Sequence, residues 1–417
     1  MSYFLIEGGV PLKGTIHIQG AKNSVVHLIA ASILARDEVI LENVPAIADV
    51  YKMTKILEKI GAKVHFEEKS HTLWIDSRGP VNPHIQDPIA SELRASLSFL
   101  GALLAREKEA SIVFPGGCNI GSRPVDFHLK GFSVLGAEAS LEHGLIQAKA
   151  SRLAGKRIYL DYPSVGATIN LTMVAVMAKG ETILENVAEE PEVVDFCNML
   201  KKMGAKIRGA GTKTLCIRGV SSLTATKHRV IPDRIEGGTY LIAGAVTNGE
   251  LTVKEIVPQH LEPLLAKLRE AGAQVITAKN RASIKAKKGL KAVNIKTMPY
   301  PGFPTDLQNQ MMTLLCLAEG TSLITETVFE NRFLLVSELR KMGANIRTEG
   351  QSVVVQGIES LTGAKLISPN LRGSASLVLA ALAAKGVSEV HDIEHLDRGY
   401  ERMENKLKAV GAKIKRI

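Results

Sequence analysis

Hydrophobic and polar positions repeat along this chain with a period of roughly 70 residues. Each copy ends in an apolar residue followed by Gly-Ala, and the glycines are Gly61, Gly136, Gly204, Gly272, Gly343 and Gly411. Glycine commonly ends a helix because it adopts the left-handed conformation without steric cost. The spacing therefore predicts six structural units, each with a helix that stops at its Gly-Ala pair.

Around each Gly-Ala pair, the pattern predicts short strands and an amphipathic helix. Strands are predicted at 39–41, 63–66, 183–184, 206–208 and 323–324. Amphipathic helices are predicted at 50–60, 193–203 and 333–342. Alternation of strands with helices is typical of the α/β class.

A second helix in each unit is apolar on nearly every face, which is the pattern of a buried helix. These helices are predicted at 23–35, 93–105, 168–177, 238–246, 307–317 and 374–384. With three in each half of the chain, they predict two α/β domains. In each domain, sheets and amphipathic helices pack around apolar helices, so the fold is an inside-out barrel.

Length and composition agree with two domains of about 200 residues. The 417 residues are 45% hydrophobic and 4% aromatic, so aliphatic side chains must build the cores. No apolar run approaches the roughly 20 residues of a membrane helix, and the N-terminus lacks the pattern of a signal peptide. We therefore expect a cytoplasmic protein without membrane insertion.

Charge and cysteine usage limit the classes of substrate and partner that are expected. The net charge is +10, but lysines and arginines are spread along the chain with few aromatic residues among them. This pattern does not indicate nucleic acid and favours a small phosphorylated or carboxylated substrate. The four cysteines form no CxxC pair, which predicts neither a metal clip nor a disulfide framework. The pattern carries no prediction of oligomeric state.

One stretch, from Phe114 to Asp126, combines a thiol with flexible backbone. Two glycines precede Cys118, and Arg123 follows it by five residues. A nearby cation favours thiolate over thiol, and a glycine-rich loop can carry the sulfur to a substrate. The alternative is a small buried apolar cysteine, which is the commoner situation of a free cysteine.

Candidate anion-binding residues, several of them basic, lie at or just before the starts of the buried helices, where free amides and the helix dipole attract anions. They are Lys22, Asn23, Arg94, Ser164, Val165, Gly166, Arg234, Asp306 and Arg372. A second set lies in strand-to-helix loops, at Cys118, 190–195, 329–332 and 396–400. The alternative for any one arginine is an exposed ion pair, such as Asp397 with Arg398, worth under about 1 kcal/mol. Recurrence at matching positions favours the anion site.

Nine motifs, in chain order, resemble the UDP-N-acetylglucosamine 1-carboxyvinyltransferases, a family of enolpyruvyl transferases that opens peptidoglycan synthesis. They are Gly20-Ala-Lys-Asn, Leu93-Arg-Ala-Ser, Pro115-Gly-Gly-Cys, Arg123-Pro-Val-Asp, Pro163-Ser-Val-Gly-Ala-Thr, Pro232-Asp-Arg-Ile-Glu, Phe303-Pro-Thr-Asp, Phe329-Glu-Asn-Arg-Phe and Asp397-Arg-Gly-Tyr-Glu. The resemblance implies two inside-out α/β domains of three βαβαββ repeats each. One would be residues 22–231, the other residues 1–21 with 232–417, and the active site would lie in the cleft between them.

The resemblance also implies the reaction. The enolpyruvyl group of phosphoenolpyruvate would pass to the 3-hydroxyl of UDP-N-acetylglucosamine by addition and elimination, with release of phosphate and with neither metal nor cofactor. Catalytic roles would fall to Cys118 as proton donor and site of covalent attachment, to Asp306 as base, and to Lys22 and Arg398 as cations. By residue type alone, a helix cap is the favoured explanation of Asp306.

Two sets of binding residues are implied in the same way. Phosphoenolpyruvate would be held by Lys22, Asn23, Arg123, Arg332, Arg372 and Arg398. UDP-N-acetylglucosamine would be held by Arg94, Arg123, Pro124, Val125, Asp126, Phe127, Pro163, Ser164, Val165, Gly166, Asp306 and Val328. Arginine suits phosphate and carboxylate because its planar fork binds either group with two hydrogen bonds.

Three positions depart from the family pattern. Ile169 stands where glutamate is usual, Gly237-Gly238 where one residue is normally larger, and Asn119 where a small residue is commoner. The alternatives are 5-enolpyruvylshikimate 3-phosphate synthase, a specialised paralogue that uses another nucleotide acceptor, and a non-catalytic relative that binds UDP-sugar. The first lacks a cysteine loop. The last is disfavoured because the residues with implied catalytic roles are all present, namely Lys22, Cys118, Asp306 and Arg398.

Overall fold

The computed structural model describes residues 2–116, 120–121 and 124–417, which form two compact units. The first unit holds the described residues of Met1–Gln19 and Pro232–Ile417, together with Ile120 and Gly121. The second unit holds the described residues of Gly20–Cys118 and Arg123–Ile231. The predicted functional division, with a catalytic cleft, stays a prediction.

Strands are short throughout the described residues, mostly five residues long. In chain order they are β1 Tyr3–Glu7, β2 Lys13–His17, β3 Glu38–Glu42, β4 Lys63–Glu67, β5 Thr72–Asp76, β6 His84–Ile85, β7 Glu109–Val113, β8 Glu138–Glu142, β9 Leu145–Lys149, β10 Arg157–Tyr159, β11 Glu181–Glu185, β12 Lys206–Arg208, β13 Thr214–Arg218, β14 Thr226–Arg229, β15 Glu250–Lys254, β16 Gln274–Ala278, β17 Arg281–Lys285, β18 Ile295–Lys296, β19 Thr321–Thr325, β20 Asn345–Glu349, β21 Ser352–Gln356, β22 Lys365–Ile367, β23 Val387–His391 and β24 Lys413–Arg416. Buried and exposed positions alternate along most of them, as in β5 and β13, because one face of each sheet covers the core.

The strands form six sheets of four strands each, three in each unit. Those of the first unit have the orders β22-β23-β1-β24, β16-β17-β15-β2 and β18-β19-β21-β20. Those of the second unit have the orders β10-β11-β13-β12, β14-β3-β5-β4 and β6-β7-β9-β8. One edge strand of every sheet pairs in parallel, for example β18 with β19 through Ile295 and Ile324, and the other pairs are antiparallel. The six copies predicted by the repeat therefore have one topology.

Helices alternate with these strands. In chain order they are α1 Lys22–Ala31, α2 Ala48–Lys59, α3 Ser98–Glu107, α4 Asp126–Val134, α5 Val165–Met177, α6 Pro191–Lys202, α7 Arg234–Val246, α8 Glu262–Glu270, α9 Gln308–Leu315, α10 Val336–Lys341, α11 Leu371–Ala383, α12 Glu394–Asp397 and α13 Met403–Lys408. None of the described helices has both the length and the apolar character needed to cross a membrane.

Apolar helices form the core of each unit, as predicted. In the first unit α7, α9 and α11 pack against one another, and in the second α3 packs against both α1 and α5. Almost all of α7 and α11 is buried, including their small residues, because glycine, alanine and serine let helices approach closely. The six marker glycines all have positive φ, between 92° and 108°, which confirms that they end helices.

Some predicted helices begin or end in a tight 3-10 turn. Arg94–Leu97 precedes α3, Thr305–Leu307 precedes α9, and Arg332–Leu335 precedes α10. Apolar periodicity did not separate these turns from the helices because buried side chains continue through both. Three predicted site residues, Arg94, Asp306 and Arg332, lie in such turns.

Candidate active site

In the first unit, Asp306 lies between two arginines that come from different repeats. Arg332 Nη2 donates to Asp306 Oδ1 at 2.6 Å, and Arg372 Nη2 donates to Oδ2 at 2.9 Å. Both arginine side chains are almost fully buried, whereas Asp306 remains 21% exposed. The carboxylate therefore faces two fixed cations and remains partly exposed.

Tyr400 holds Arg372 from a second direction. Its hydroxyl lies 3.3 Å from Arg372 Nη1 and 2.8 Å from Thr239 Oγ1, and Gln310 Nε2 also donates to it. Burial lowers the pKa of Arg372 more than any single neighbour raises it, but the opposing charge of Asp306, together with smaller contributions from Tyr400 and Asp233, holds that pKa above its ordinary value. Arg372 thus stays charged although it is buried.

Val328 lies in the loop that follows β19, and Arg332 begins the 3-10 turn at the end of that loop. The guanidinium carbon of Arg332 lies 5.0 Å from the centre of the Phe329 ring, within cation–π range. The backbone amides of Val328 and Phe329 both donate to Glu326 Oε1, at 2.8 and 3.2 Å. One carboxylate therefore shapes the loop that carries two predicted ligands.

Arg398 follows α12 and is partly buried. Its neighbour Asp397 is bound by Arg416, with Nη1 at 2.9 Å and Nη2 at 2.7 Å from the two carboxylate oxygens. Arg416 also donates to Glu404 and lies over the ring of Phe4. Strand β24 therefore fixes the end of α12, from which Arg398 extends.

In the second unit, Lys22 and Asn23 are the first two residues of α1. Lys22 Nζ lies 3.3 Å from Oδ2 of the buried Asp49. The next turn is fixed by Ser24, whose hydroxyl donates to Asp195 at 2.6 Å, and Asp195 also accepts from His228 at 2.8 Å. Buried carboxylates on α2 and α6 therefore position the start of α1.

Most of the predicted nucleotide-sugar residues lie in the second unit and cluster at two further helix starts, whereas Asp306 and Val328 belong to the first unit. Pro124 and Val125 lead into α4, which begins with Asp126 and Phe127. Arg94 Nη2 donates to the carbonyl of Pro124 at 3.3 Å, so these two predicted ligands are in contact. Arg94 also lies 5.8 Å from the ring centre of Phe114.

The second of these two helix starts is the N-terminus of α5. Ser164 caps it by accepting from the amide of Ala167, and Pro163, Val165 and Gly166 are partly exposed around that cap. A Cβ at Gly166 would lie 3.4 Å from the ring of His128, so α4 and α5 approach closely there. Burial, with a further contribution from Arg94, lowers the pKa of His128 to about 3, so its ring is neutral at physiological pH.

Cys118 and Arg123, the predicted proton donor and a predicted ligand of both substrates, lie outside the described residues, as does Asn119. Ile120, two residues beyond Cys118, accepts a backbone hydrogen bond from Asn331 at 2.9 Å within the first unit. Asn331 adjoins Arg332. The other cysteines lie elsewhere, and burial raises the pKa of Cys197 and of Cys316 to about 12.

Comparisons with known proteins identify the family of this chain. A family model described as EPSP synthase (3-phosphoshikimate 1-carboxyvinyltransferase) matches residues 6–407. UDP-N-acetylglucosamine 1-carboxyvinyltransferase 1 of Caldanaerobacter subterraneus subsp. tengcongensis is 50% identical over 413 residues, which cover 99% of each chain. The chain belongs to the carboxyvinyltransferase family.

Two further carboxyvinyltransferase comparisons cover the whole chain. UDP-N-acetylglucosamine 1-carboxyvinyltransferase 2 of Carboxydothermus hydrogenoformans is 51% identical over 422 residues, covering 100% of both chains. The crystal structure of the enolpyruvyl transferase NikO from Streptomyces tendae matches with a TM-score of 0.90 at 27% identity, covering 100% of this chain and 98% of that one. The predicted family and the two-part α/β fold are therefore confirmed, although the sheets of the described residues stay separate and close into no continuous barrel.

Two departures from the carboxyvinyltransferase pattern lie in helix interiors. Ile169 is fully buried in α5 and belongs to the core. A Cβ at Gly238 would approach Leu307 Cδ1 to 2.7 Å, whereas one at Gly237 would meet Ile256 at 3.1 Å. The missing side chain at Gly238 thus allows α7 to pack against the turn that carries Asp306.

Sequence reasoning missed several residues that hold the site in this carboxyvinyltransferase. They are Asp49, His128, Glu326 and Arg416. Glu326 could have been predicted from the sequence. It is an acidic residue directly after an apolar strand and three residues before Phe329, which places it to accept hydrogen bonds from the backbone of the following loop. The others contact partners far along the chain, which local patterns do not reveal.

Proposed function

We propose that this chain transfers the enolpyruvyl group of phosphoenolpyruvate to the 3-hydroxyl of UDP-N-acetylglucosamine and releases phosphate. The observation that carries the proposal is the cluster of Arg332, Asp306 and Arg372, a partly exposed carboxylate between two buried cations. Full-length identity of about one half to proteins of that name supports the choice of acceptor.

The chemistry requires a balanced addition and elimination. The sugar oxygen bonds to C2 of phosphoenolpyruvate while C3 takes a proton, and phosphate then leaves C2 while C3 loses a proton. Asp306 would take the proton of the sugar hydroxyl. Two guanidinium groups stabilise its ionised form, which is the form that accepts a proton.

Fixed cations would bind the phosphate and carboxylate of phosphoenolpyruvate. These would be Lys22, Arg123, Arg332, Arg372 and Arg398, with Asn23 as a hydrogen-bonding group. Arg332 and Arg372 support this role because they are buried, charged and already ordered, so binding would require little reorganisation. Cations of this kind would neutralise the phosphate without a metal or cofactor.

Cys118 would donate the proton to C3 and could form a covalent adduct at C2 of the donor. The glycines beside it and Arg123 beyond it support this role. As a reactive thiol, Cys118 would also be the target of epoxide inhibitors such as fosfomycin.

UDP-N-acetylglucosamine would bind at the starts of α4 and α5 and at Asp306 and Val328. Free amides at a helix start suit a diphosphate, and both helices have more than two turns. The contact of Arg94 with Pro124 places a guanidinium beside the start of α4. The product would enter peptidoglycan synthesis in the cytoplasm, and the enzyme would thereby serve cell-wall growth, cell shape and division.

The test is phosphate release from phosphoenolpyruvate with three acceptors supplied separately: UDP-N-acetylglucosamine, a uridine nucleotide without the sugar, and shikimate 3-phosphate. We expect release only with the first. Release only with shikimate 3-phosphate, or only with the simple nucleotide, would instead support the synthase or the specialised paralogue. Thermal stabilisation by UDP-N-acetylglucosamine without any release would identify a non-catalytic binder.

A further inference from the structure

Glu326 is a buried carboxylate at the end of a strand. It follows β19 directly, and its side chain is 1% exposed. Removing a carboxylate from water is costly unless hydrogen bonds replace the lost hydration. Within the described residues no lysine, arginine or histidine forms an ion pair with it, so neutral donors must supply that replacement.

Four donors surround this carboxylate. Oε1 accepts from Thr297 Oγ1 at 2.8 Å and from the amides of Val328 at 2.8 Å and Phe329 at 3.2 Å. Oε2 accepts from Thr305 Oγ1 at 2.9 Å. Both oxygens are therefore used, and the two sides of the carboxylate bind different parts of the chain.

These parts are Thr297, the turn of Thr305, and the residues that directly follow Glu326 itself. Thr297 follows β18 and Glu326 follows β19, and these strands pair in parallel, so their ends meet at one edge of the sheet. Two further hydrogen bonds join Thr297 to the residue after Glu326. The Thr297 hydroxyl accepts from the amide of Thr327, and the Thr297 carbonyl accepts from the Thr327 hydroxyl. Thr305 belongs to the turn that contains Asp306.

We propose that Glu326 is a positioning residue for the transfer reaction, an inference that rests on the proposed function. Its Oε2 fixes the turn of Thr305 and Asp306, and its Oε1 fixes the Val328 segment. Asp306 would be the base, and Val328 would contact the acceptor sugar nucleotide. The carboxylate of Glu326 thus sets the distance between Asp306 and the bound acceptor. That distance decides whether Asp306 can reach the hydroxyl of the acceptor.

Misplacement of a catalytic group by about 1 Å can reduce a reaction rate by about 100-fold. Fixing the position of Asp306 relative to the acceptor would therefore increase the rate of the transfer. A merely structural role would not require a charge, because a neutral or apolar residue of similar volume often stabilises a core as well. The charge strengthens each of four hydrogen bonds and thereby narrows the positions that both segments can take.

Three variants test the proposal. Thr305→Val removes only the bond between Glu326 and the Asp306 turn, and Glu326→Gln removes the charge while keeping the shape. Thr325→Val is the matched control: it makes the same change on the adjacent residue, whose hydroxyl bonds Ser352 at 3.0 Å and not Glu326. Phosphate release is measured against each substrate at a temperature at which melting curves show all variants folded.

We expect Thr305→Val to lower kcat by about 10-fold or more with the KM for phosphoenolpyruvate nearly unchanged. Glu326→Gln should lower kcat similarly and also raise the KM for UDP-N-acetylglucosamine, and Thr325→Val should match wild type within about two-fold. If Glu326→Gln does not fold, the kinetics of Thr305→Val alone test the positioning role.

Wild-type kinetics in Thr305→Val, or losses equal to those of Thr325→Val, would overturn the positioning role. So would an activity loss in Glu326→Gln that only follows its folded fraction. Failure of the proposed function is distinct, because the wild-type protein itself would then release no phosphate with UDP-N-acetylglucosamine, and the positioning role would fall with it.

Discussion

Arg332 donates a hydrogen bond from Nη2 to Oδ1 of Asp306 at 2.6 Å, although 26 residues separate them in the chain. The Arg332 side chain is 3% exposed, so water has little access to its guanidinium. A second arginine, Arg372, binds the other carboxylate oxygen. The residue proposed as the base is thus held in one orientation before any substrate binds.

Asp306→Asn tests the role of that charge. The amide keeps the shape but cannot take a proton, so we expect kcat to fall by about 100-fold or more. The melting temperature should also fall, because two buried guanidinium groups lose their counter-charge. Steady-state phosphate release and a thermal melt measure the two effects.

Asp76→Asn is the matched control, since its carboxylate is also bound by an arginine, Arg78, but on the surface at the end of β5. It should leave kcat unchanged. Equal losses in the two variants, or full turnover by Asp306→Asn, would contradict the assignment of the base.

The sequence predicted most of the architecture because its signals were local. Gly61 and its five equivalents ended helices as expected, since a positive φ is a property of the residue itself. The apolar helices were found because burial on every face appears directly in composition, as in α5 and α11.

The supports of the site were not predictable in this way. The hydrogen bond between Glu326 and Thr305 spans 21 residues, and the contact of His128 with Gly166 joins two helices. Such pairs depend on how the sheets and helices pack in three dimensions. The 3-10 turns at Asp306 and Arg332 were missed because apolar periodicity runs through them without a break.

Alkylation by an epoxide inhibitor should modify Cys118 alone. Burial raises the pKa of Cys197 and Cys316 to about 12, so little thiolate forms there, and a thiolate is the nucleophile. Peptide mass spectrometry after treatment locates the adduct. Cys216→Ser, which removes the partly buried cysteine of β13, should leave the extent of alkylation unchanged; an adduct on any cysteine other than Cys118 would contradict this prediction.

His128 should make the protein sensitive to acid. Its pKa is about 3 when folded, against 6.5 for an exposed histidine, so between these values the unfolded chain binds more protons. Stability is therefore lost as pH falls from 6.5 towards 3, by about 2 kcal/mol at pH 5. In His128→Asn the difference in unfolding free energy between pH 7 and pH 5 should be smaller by about this amount.

Urea unfolding at the two pH values measures the effect. His143→Asn is the control, because His143 is an exposed turn residue of the same unit and faces water in both states. If His128→Asn keeps the wild-type difference between pH 7 and pH 5, the buried neutral imidazole is not the acid-sensitive group.

Gly238 and Gly237 should differ in their tolerance of a methyl group. In Gly238→Ala the new Cβ meets Leu307 at 2.7 Å and Leu264 at 2.9 Å, so we expect a loss of about 1–3 kcal/mol and a lower kcat, since Leu307 adjoins Asp306. Gly237→Ala meets its nearest neighbour at 3.1 Å and gains up to about 1 kcal/mol of helix propensity. Its stability should exceed that of Gly238→Ala in urea unfolding; the reverse order would be inconsistent with the packing described.

The most direct measurement is the mass of the product formed from phosphoenolpyruvate and UDP-N-acetylglucosamine in D2O. Addition and elimination place a solvent proton on C3 and later remove one, so the sugar nucleotide should gain one enolpyruvyl group that carries deuterium at its methylene carbon. Asp306→Asn should give little or no product in the same time. UDP-N-acetylglucosamine of unchanged mass after incubation with active, folded protein would contradict the proposed transfer.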